Sequence, residues 1–213
     1  MCDGPMPKPH QRLTPPDMSS EQDMRPTWGD IVLPAKFHKS TITVSAVGYR
    51  QEGWQKDMEH CLAAKGYDLD KTIILDCRNM KGPRMDRGHH IGTATRILRN
   101  VIAHDSTMVR GLFDQAAQQL IERPETTDIF CVCEWGKHRS VAVATLLIQA
   151  LKKFSEQWKI SGPVYLAQQH WGWNKCGIKR CRECDNDNDD KQEAYRTASA
   201  WWRKSWEDKC GKC

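Results

Sequence analysis

The stretch Ile129-Phe130-Cys131-Val132-Cys133-Glu134-Trp135-Gly136-Lys137-His138-Arg139-Ser140-Val141 decides the fold. Its first four residues are apolar and suit a buried strand. A loop with one glycine and three basic residues follows, and the helical run Val141 to Phe154 comes next. Strand, tight loop and helix in that order build an anion pocket. The first turn of a helix offers N–H groups with no partner inside the helix, and the aligned peptide dipoles add positive potential there. Arg139 can grip two phosphate or carboxylate oxygens at once, which a lysine cannot. Ser140 can cap the helix or donate to the anion.

Two known families share this pattern. As Cys-x5-Arg-Ser, Cys133 to Ser140 resembles the loop of the cysteine-dependent phosphatases. That resemblance implies a thiolate at Cys133, with its pKa lowered by the helix terminus and by Lys137, His138 and Arg139, and an acid supplied by Asp105 or Asp114. Neither acid lies in a tryptophan-proline-aspartate type of loop, and Val132 stands where those enzymes usually carry histidine. The longer run Gly136 to Val141 is more similar to the C-terminal domain of the RapZ family of RNase adapter proteins. Ile42 to Tyr49 resembles that domain's first strand and turn, Ile73 to Asn79 its second strand with an Asp-x-Arg ending, and Gly88 to Glu122 its helical middle. The resemblance spans residues 40–155. It implies a non-enzymatic regulatory domain that holds a phosphorylated small molecule, an amino-sugar phosphate in that family, and that takes part in RNA binding and homo-oligomer formation. Carried onto this chain, the ligand pocket is Asp76, Arg78, Cys133, Glu134, Trp135, Gly136, Lys137, His138, Arg139 and Ser140. Glu134 and Trp135 replace the small residues of the family loop. A carboxylate there costs anion affinity unless it turns away or meets an amine, and Trp135 would narrow the pocket.

The flanking sequence predicts an α/β fold with a small, mainly parallel sheet flanked by helices. Thr41 to Val47 is β-branched and alternating, and Thr72 to Cys77 is a short apolar run, so both read as strands. Helices are expected over 53–65, 93–103 and 108–121, and a further strand over Pro163 to Leu166. Gly48, Arg78 and Cys133 each follow a strand, and ligands bind at the carboxyl ends of strands in such sheets. Residues 1–38 hold seven of the ten prolines and read as a disordered tail. Residues 39–168 form the α/β domain, and residues 169–213 a Cys/Trp-rich extension ending in a helix over 191–208.

Composition narrows the function classes. A net charge of +5 suits an anionic partner without requiring one. The sequence contains no Gly-x4-Gly-Lys-Ser/Thr and no Gly-x-Gly-x-x-Gly, which argues against a nucleotide hydrolase. The absence of an apolar stretch long enough for a membrane span, or of a signal-like apolar segment, leads to the expectation of an intracellular, cytoplasmic protein.

Ten cysteines in such a compartment imply reduced thiols. Cys181-x2-Cys184 and Cys210-x2-Cys213 are two chelating pairs that, with Cys176, could hold a structural zinc. A local set of His170, Cys176, Cys181 and Cys184 is the alternative, and free thiols remain open beside both. His89-His90 after Gly88 could contact a ligand or a metal, though paired histidines in a loop are more often simply exposed. Trp171 and Trp173 lie among Lys175, Lys179, Arg180 and Arg182, which fits either RNA stacking or packing over the domain. The stripe Ala194, Ala198, Trp201, Trp202 and Trp206 gives the last helix one apolar face.

Overall fold

The computed structural model describes residues 41–50, 58–81, 90–154, 158–166, 176 and 181–210. The proline-rich segment 1–38, His170 and Cys213 lie outside them, as does the start of the helix expected from residue 53. Four strands form one parallel sheet: β1 (Thr41–Gly48), β2 (Thr72–Asp76), β3 (Asp128–Cys133) and β4 (Lys159–Tyr165), in the spatial order β2-β3-β1-β4. Among the described residues six α-helices accompany them: α1 (Met58–Ala64), α2 (Thr95–His104), α3 (Ser106–Glu122), α4 (Arg139–Phe154), α5 (Arg182–Asp185) and α6 (Asp189–Cys210).

Strand periodicity sorts the side chains to two faces. Ile42, Val44, Ala46, Ile73, Leu75, Ile129 and Cys131 enter the main core, which also takes in α2, α3, α4 and α6. The alternate residues Val47, Phe130 and Val132 face a smaller cluster with Leu62 of α1. Helix α1 therefore covers one face and α4 the other. From β1 the chain passes through α1 and over β3 to reach β2. From β3 it passes through α4 and over β1 to reach β4. Neighbouring strands β1 and β3 thus send their connections in opposite directions, and the sheet's switch point lies between their carboxyl ends.

The fourth strand begins earlier than the sequence suggested. Lys159 already pairs with Thr41, and the register shifts between Thr43 and Ser45. A Gly-Pro pair is tolerated here because β4 is an edge strand, where the missing N–H breaks no ladder on its outer side. No helix among the described residues is long and apolar enough to cross a membrane.

Helix α6 does not stand apart from the α/β core. Ala194, Ala198, Trp202 and Trp206 are buried, while Trp201 is half-buried beneath the Arg110 guanidinium. Trp202 meets Phe113 edge-on with ring centroids 5.9 Å apart, and Trp206 lies 5.2 Å from Phe154 and 5.4 Å from Trp158. Such contacts add to the large area each ring removes from water. The extension that the sequence set off as a separate segment therefore completes the domain's core. Truncating Trp202 to alanine should cost about 3–5 kcal/mol of stability, read as a lowered urea midpoint with the slope unchanged.

Candidate functional site

Cys133 is paired with Gly48 at the ends of β3 and β1, and Asp76 lies beside Val132 at the end of β2. Three strands thus finish level with one another, and the loop to α4 rises from the middle one. It is tied down by backbone: Tyr49 N–H donates to Cys133 O at 3.0 Å and Arg50 N–H to Glu134 O at 3.2 Å. Gly136 adopts φ 64°, the left-handed turn that folds the loop back on itself. Its N–H points at Cys133 Sγ from 3.2 Å, and Ser140 Oγ lies 3.1 Å from the same sulfur. Cys133 and Ser140 are both buried. The loop is therefore wound around a thiol that receives a backbone donor and faces a hydroxyl at the foot of α4.

Gly48 makes this winding possible. A Cβ on it would sit 2.5 Å from the carbonyl carbon of Trp135 and 2.7 Å from Gly136 N. Both are backbone atoms of the loop, so neither could swing away.

Arg139 faces inward, its side chain only 18% exposed. Nη1 donates to Arg78 O at 2.5 Å and to Met80 O at 2.8 Å, which uses both of its hydrogens. Nη2 lies 3.8 Å from Glu134 Oε2. Glu134 makes its close ion pair with Arg50, at 2.6 Å. The chain therefore supplies the cation that the sequence required for this carboxylate. Trp135 is 61% exposed, with the Arg50 guanidinium 5.1 Å from its ring centre. Its ring is turned to solvent instead of filling the loop.

Asp76 and Arg78 are engaged with each other. Arg78 Nε donates to Oδ1 at 2.8 Å, Nη2 to Oδ2 at 2.6 Å, and the Arg78 backbone N–H to Oδ1 at 2.9 Å. Burial alone would raise the carboxyl's pKa, but Arg78, with a further contribution from Arg139, holds it below the ordinary aspartate value. The Arg78 guanidinium also lies 5.4 Å from the Tyr49 ring centre. Lys137 is buried, and its carbonyl accepts the Gly92 N–H at 2.9 Å. His138 places Nε2 3.0 Å from His90 O. Asp105, the acid a phosphatase would use, accepts the Lys81 backbone N–H at 2.9 Å and so anchors the chain after β2.

A second constellation lies behind the loop. His90 Nδ1 is 3.5 Å from Cys176 Sγ, 3.3 Å from Cys181 Sγ and 3.5 Å from Cys184 Sγ. The four ligand atoms lie within 4.8 Å of one another and could hold a metal ion. Three of the five expected cysteines are therefore brought together, and the fourth group is His90, not a cysteine of the second pair. Cys210 ends α6 and is half-buried. On the far side of the imidazole, His90 Nε2 is 3.0 Å from Glu183 Oε2, and Glu183 Oε1 is 2.8 Å from Arg96 Nε. The Arg96 contact is off-line for a hydrogen bond and acts as an ion pair. Burial and the neighbouring thiols push Cys176 up to about 12. Burial opposes ionisation of Cys181 as well, but hydrogen bonds from Cys176 and from the backbone N–H groups of Cys184 and Glu183 hold it below the usual thiol value.

His90 stood out in the sequence only as half of a histidine pair; its partnership with the cysteines was not legible from spacing, since it stands 86 positions from Cys176.

Two changes test this geometry. Gly48→Ala should destabilise the protein by about 1–3 kcal/mol through backbone overpacking, with loop 133–140 exchanging its amide hydrogens faster. Asp76 has a folded pKa below its unfolded one, so its contribution is full at neutral pH and disappears as pH falls through the folded value. Chemical denaturation across pH should find Asp76→Asn less stable than wild type at pH 7, with the two curves meeting in strong acid.

Compared with known proteins, the chain matches no family model, no curated protein and no solved structure.

Proposed function

We propose that the loop from Cys133 to Ser140 binds the phosphoryl group of a small molecule and that the domain acts as a non-enzymatic sensor. The carrying observation is the loop's winding at the switch point: a left-handed Gly136 with its N–H on Cys133 Sγ, an inward Arg139 and the start of α4. Helix geometry leaves the first amides of α4 without intrahelical partners, and the peptide dipoles favour a negative ligand there. With Nη1 fixed on two carbonyls, Arg139 presents Nε and Nη2 in a set orientation, and preorganised donors bind anions at lower entropic cost. The resemblance to the RapZ C-terminal domain supports the same ligand class. Because Glu134 already pairs with Arg50, the site does not need an amino group on the ligand, and sugar phosphates in general fit the proposal. Thermal shift against a panel of sugar phosphates and inorganic phosphate should give stabilisation that Arg139→Ala abolishes. A panel without any stabilising member sinks the proposal. RNA binding, the family's second property, would show an affinity that falls steeply with added salt if phosphate contacts carry it.

A cysteine-dependent phosphatase is the second reading, favoured by one observation. Gly136 N–H donates toward Cys133 Sγ and Ser140 Oγ lies beside it, so the sulfur sits at the foot of α4 where a nucleophile would face the anion. Hydrolysis of an aryl phosphate that Cys133→Ser eliminates would establish it, and a protein inert to that substrate rules it out.

The Cys3His cluster we assign to structural zinc. A tetrahedral ion about 2.3 Å from sulfur and about 2.1 Å from nitrogen places N and S about 3.6 Å apart, against 3.3–3.5 Å here. Glu183 accepting from Nε2–H fixes the tautomer that leaves Nδ1 as the ligand, the usual outer-shell arrangement of a zinc-bound histidine. Four protein ligands leave no open position, which favours a structural over a catalytic ion. Elemental analysis of the purified chain should return one zinc per chain, and a cobalt-substituted sample a tetrahedral thiolate spectrum that His90→Ala weakens.

A further inference from the structure

His90 belongs to both constellations. Its side chain faces the three thiols, while its backbone carbonyl lies 3.0 Å from His138 Nε2 of the loop. Two residues on, Gly92 N–H donates to Lys137 O at 2.9 Å. The Gly92 Cα lies so close to the loop's end that an added Cβ would be 2.3 Å from His138 O and 2.4 Å from Ala142 N. Beyond it, α2 begins, and its first turns are bound to the C-terminal segment: Thr95 Oγ1 to Asn188 Oδ1 at 3.3 Å, Arg96 to Glu183, and Arg99 Nη1 to Asp190 Oδ2 at 2.8 Å. Residues 90–99 are thus a bridge. One side is fixed to the cysteine-bearing segment and the other is pressed onto the peptide bonds that enter α4.

We infer that metal at the Cys3His centre holds residues 90–94 against the anion loop, so that metal loading sets the loop's affinity for phosphate. This rests on the phosphoryl-binding and zinc proposals together. Three thiols and an imidazole attract one another only weakly, so without an ion the His90 side chain is held chiefly by its ion pair with Glu183. A bound zinc replaces those contacts with four coordinate bonds, whose free energy becomes folding free energy of the segment. The imidazole then cannot leave without breaking one of them, and the His90 carbonyl and Gly92 amide stay where the loop needs them. Linkage makes the effect reciprocal: phosphate in the loop tightens the metal by the same factor.

The test uses the full chain, zinc-loaded, stripped with a chelator and reloaded. Amide hydrogen exchange is followed over residues 90–95 and 133–142, and inorganic phosphate affinity is measured by calorimetry. Stripping should speed exchange in both segments and weaken phosphate about tenfold, within the usual range of coupling between sites, and reloading should restore both. Unchanged exchange at 133–142, with faster exchange confined to residues 90–95, overturns the coupling, as does failure of the chain to take up zinc. If the zinc-loaded chain does not bind phosphate, the anion-site proposal falls, and loop exchange alone decides the coupling. Gly92→Ala, which alters the contact and no metal ligand, is the second arm. It should keep one zinc per chain yet show the stripped form's loop exchange, and this arm decides the matter if chelation unfolds the whole chain. Wild-type exchange in that variant overturns the inference.

Discussion

The contact between Gly48 and the Trp135–Gly136 peptide is the constraint on which the upper end of the sheet depends. Parallel strands β1 and β3 end at the same level, so the chain leaving β3 must clear the end of β1 before it can enter α4. It does so by lying flat on Gly48, with no room for one more carbon atom. That close passage keeps the loop short. A short loop in turn aims Gly136 N–H at the Cys133 sulfur and brings Ser140 to its other side. Raising the loop by the width of a methyl group would separate these atoms beyond hydrogen-bond reach.

Charge around the loop is arranged in compensated pairs. Glu134 pairs with Arg50, and Asp76 with Arg78, while Arg139 leans on main-chain carbonyls. The pairs at Glu134 and Asp76 are partly exposed, where an ion pair contributes modestly to stability and is screened by salt. Their larger effect is on position. Each carboxylate makes its closest ion pair with its own guanidinium, while Glu134 stays 3.8 Å from Arg139 Nη2. The Arg50 partner offsets the negative charge that Glu134 brings to the loop's second position.

The strands were legible in the sequence because their alternation is physical. Ile42, Val44 and Ala46 go to one face and Val47 to the other, as a period of two requires. The strand-loop-helix unit was legible for the same reason, since Gly136 marks the turn and the apolar run Val141 to Phe154 suits a helix buried on nearly every side. Two features were hidden. The full extent of β4 was obscured by Gly162-Pro163, which reads as a turn but is accommodated at the sheet's edge. The metal-binding set was only half visible: Cys176, Cys181 and Cys184 are close in sequence, but their fourth partner comes from a segment made adjacent by the packing of α6 against α2. Spacing rules detect ligands on one turn and are silent about a histidine delivered by tertiary structure. Thr95, Arg96 and Arg99 of α2 meet Asn188, Glu183 and Asp190 there, so residues outside the cluster help to bring its members together.

The cysteines divide by environment, and that division assigns their chemistry. Cys77 and Cys131 are fully buried among apolar side chains, and burial, with Cys131 beside it, pushes the Cys77 thiol well up. Such thiols pack as small hydrophobes and stay inert. Cys133 is equally buried, but a backbone N–H points at its sulfur and a hydroxyl lies beside it, an environment built for an acceptor. In the His90 cluster, three thiols share one space with a single imidazole, and burial together with Cys181 and Cys184 disfavours the Cys176 thiolate. A divalent ion inverts that balance, because it favours the thiolate at every ligand it touches. One arrangement of sulfur therefore suits a core, one an anion loop and one a metal. The second and third are joined through the backbone of His90, whose carbonyl lies 3.0 Å from His138 Nε2.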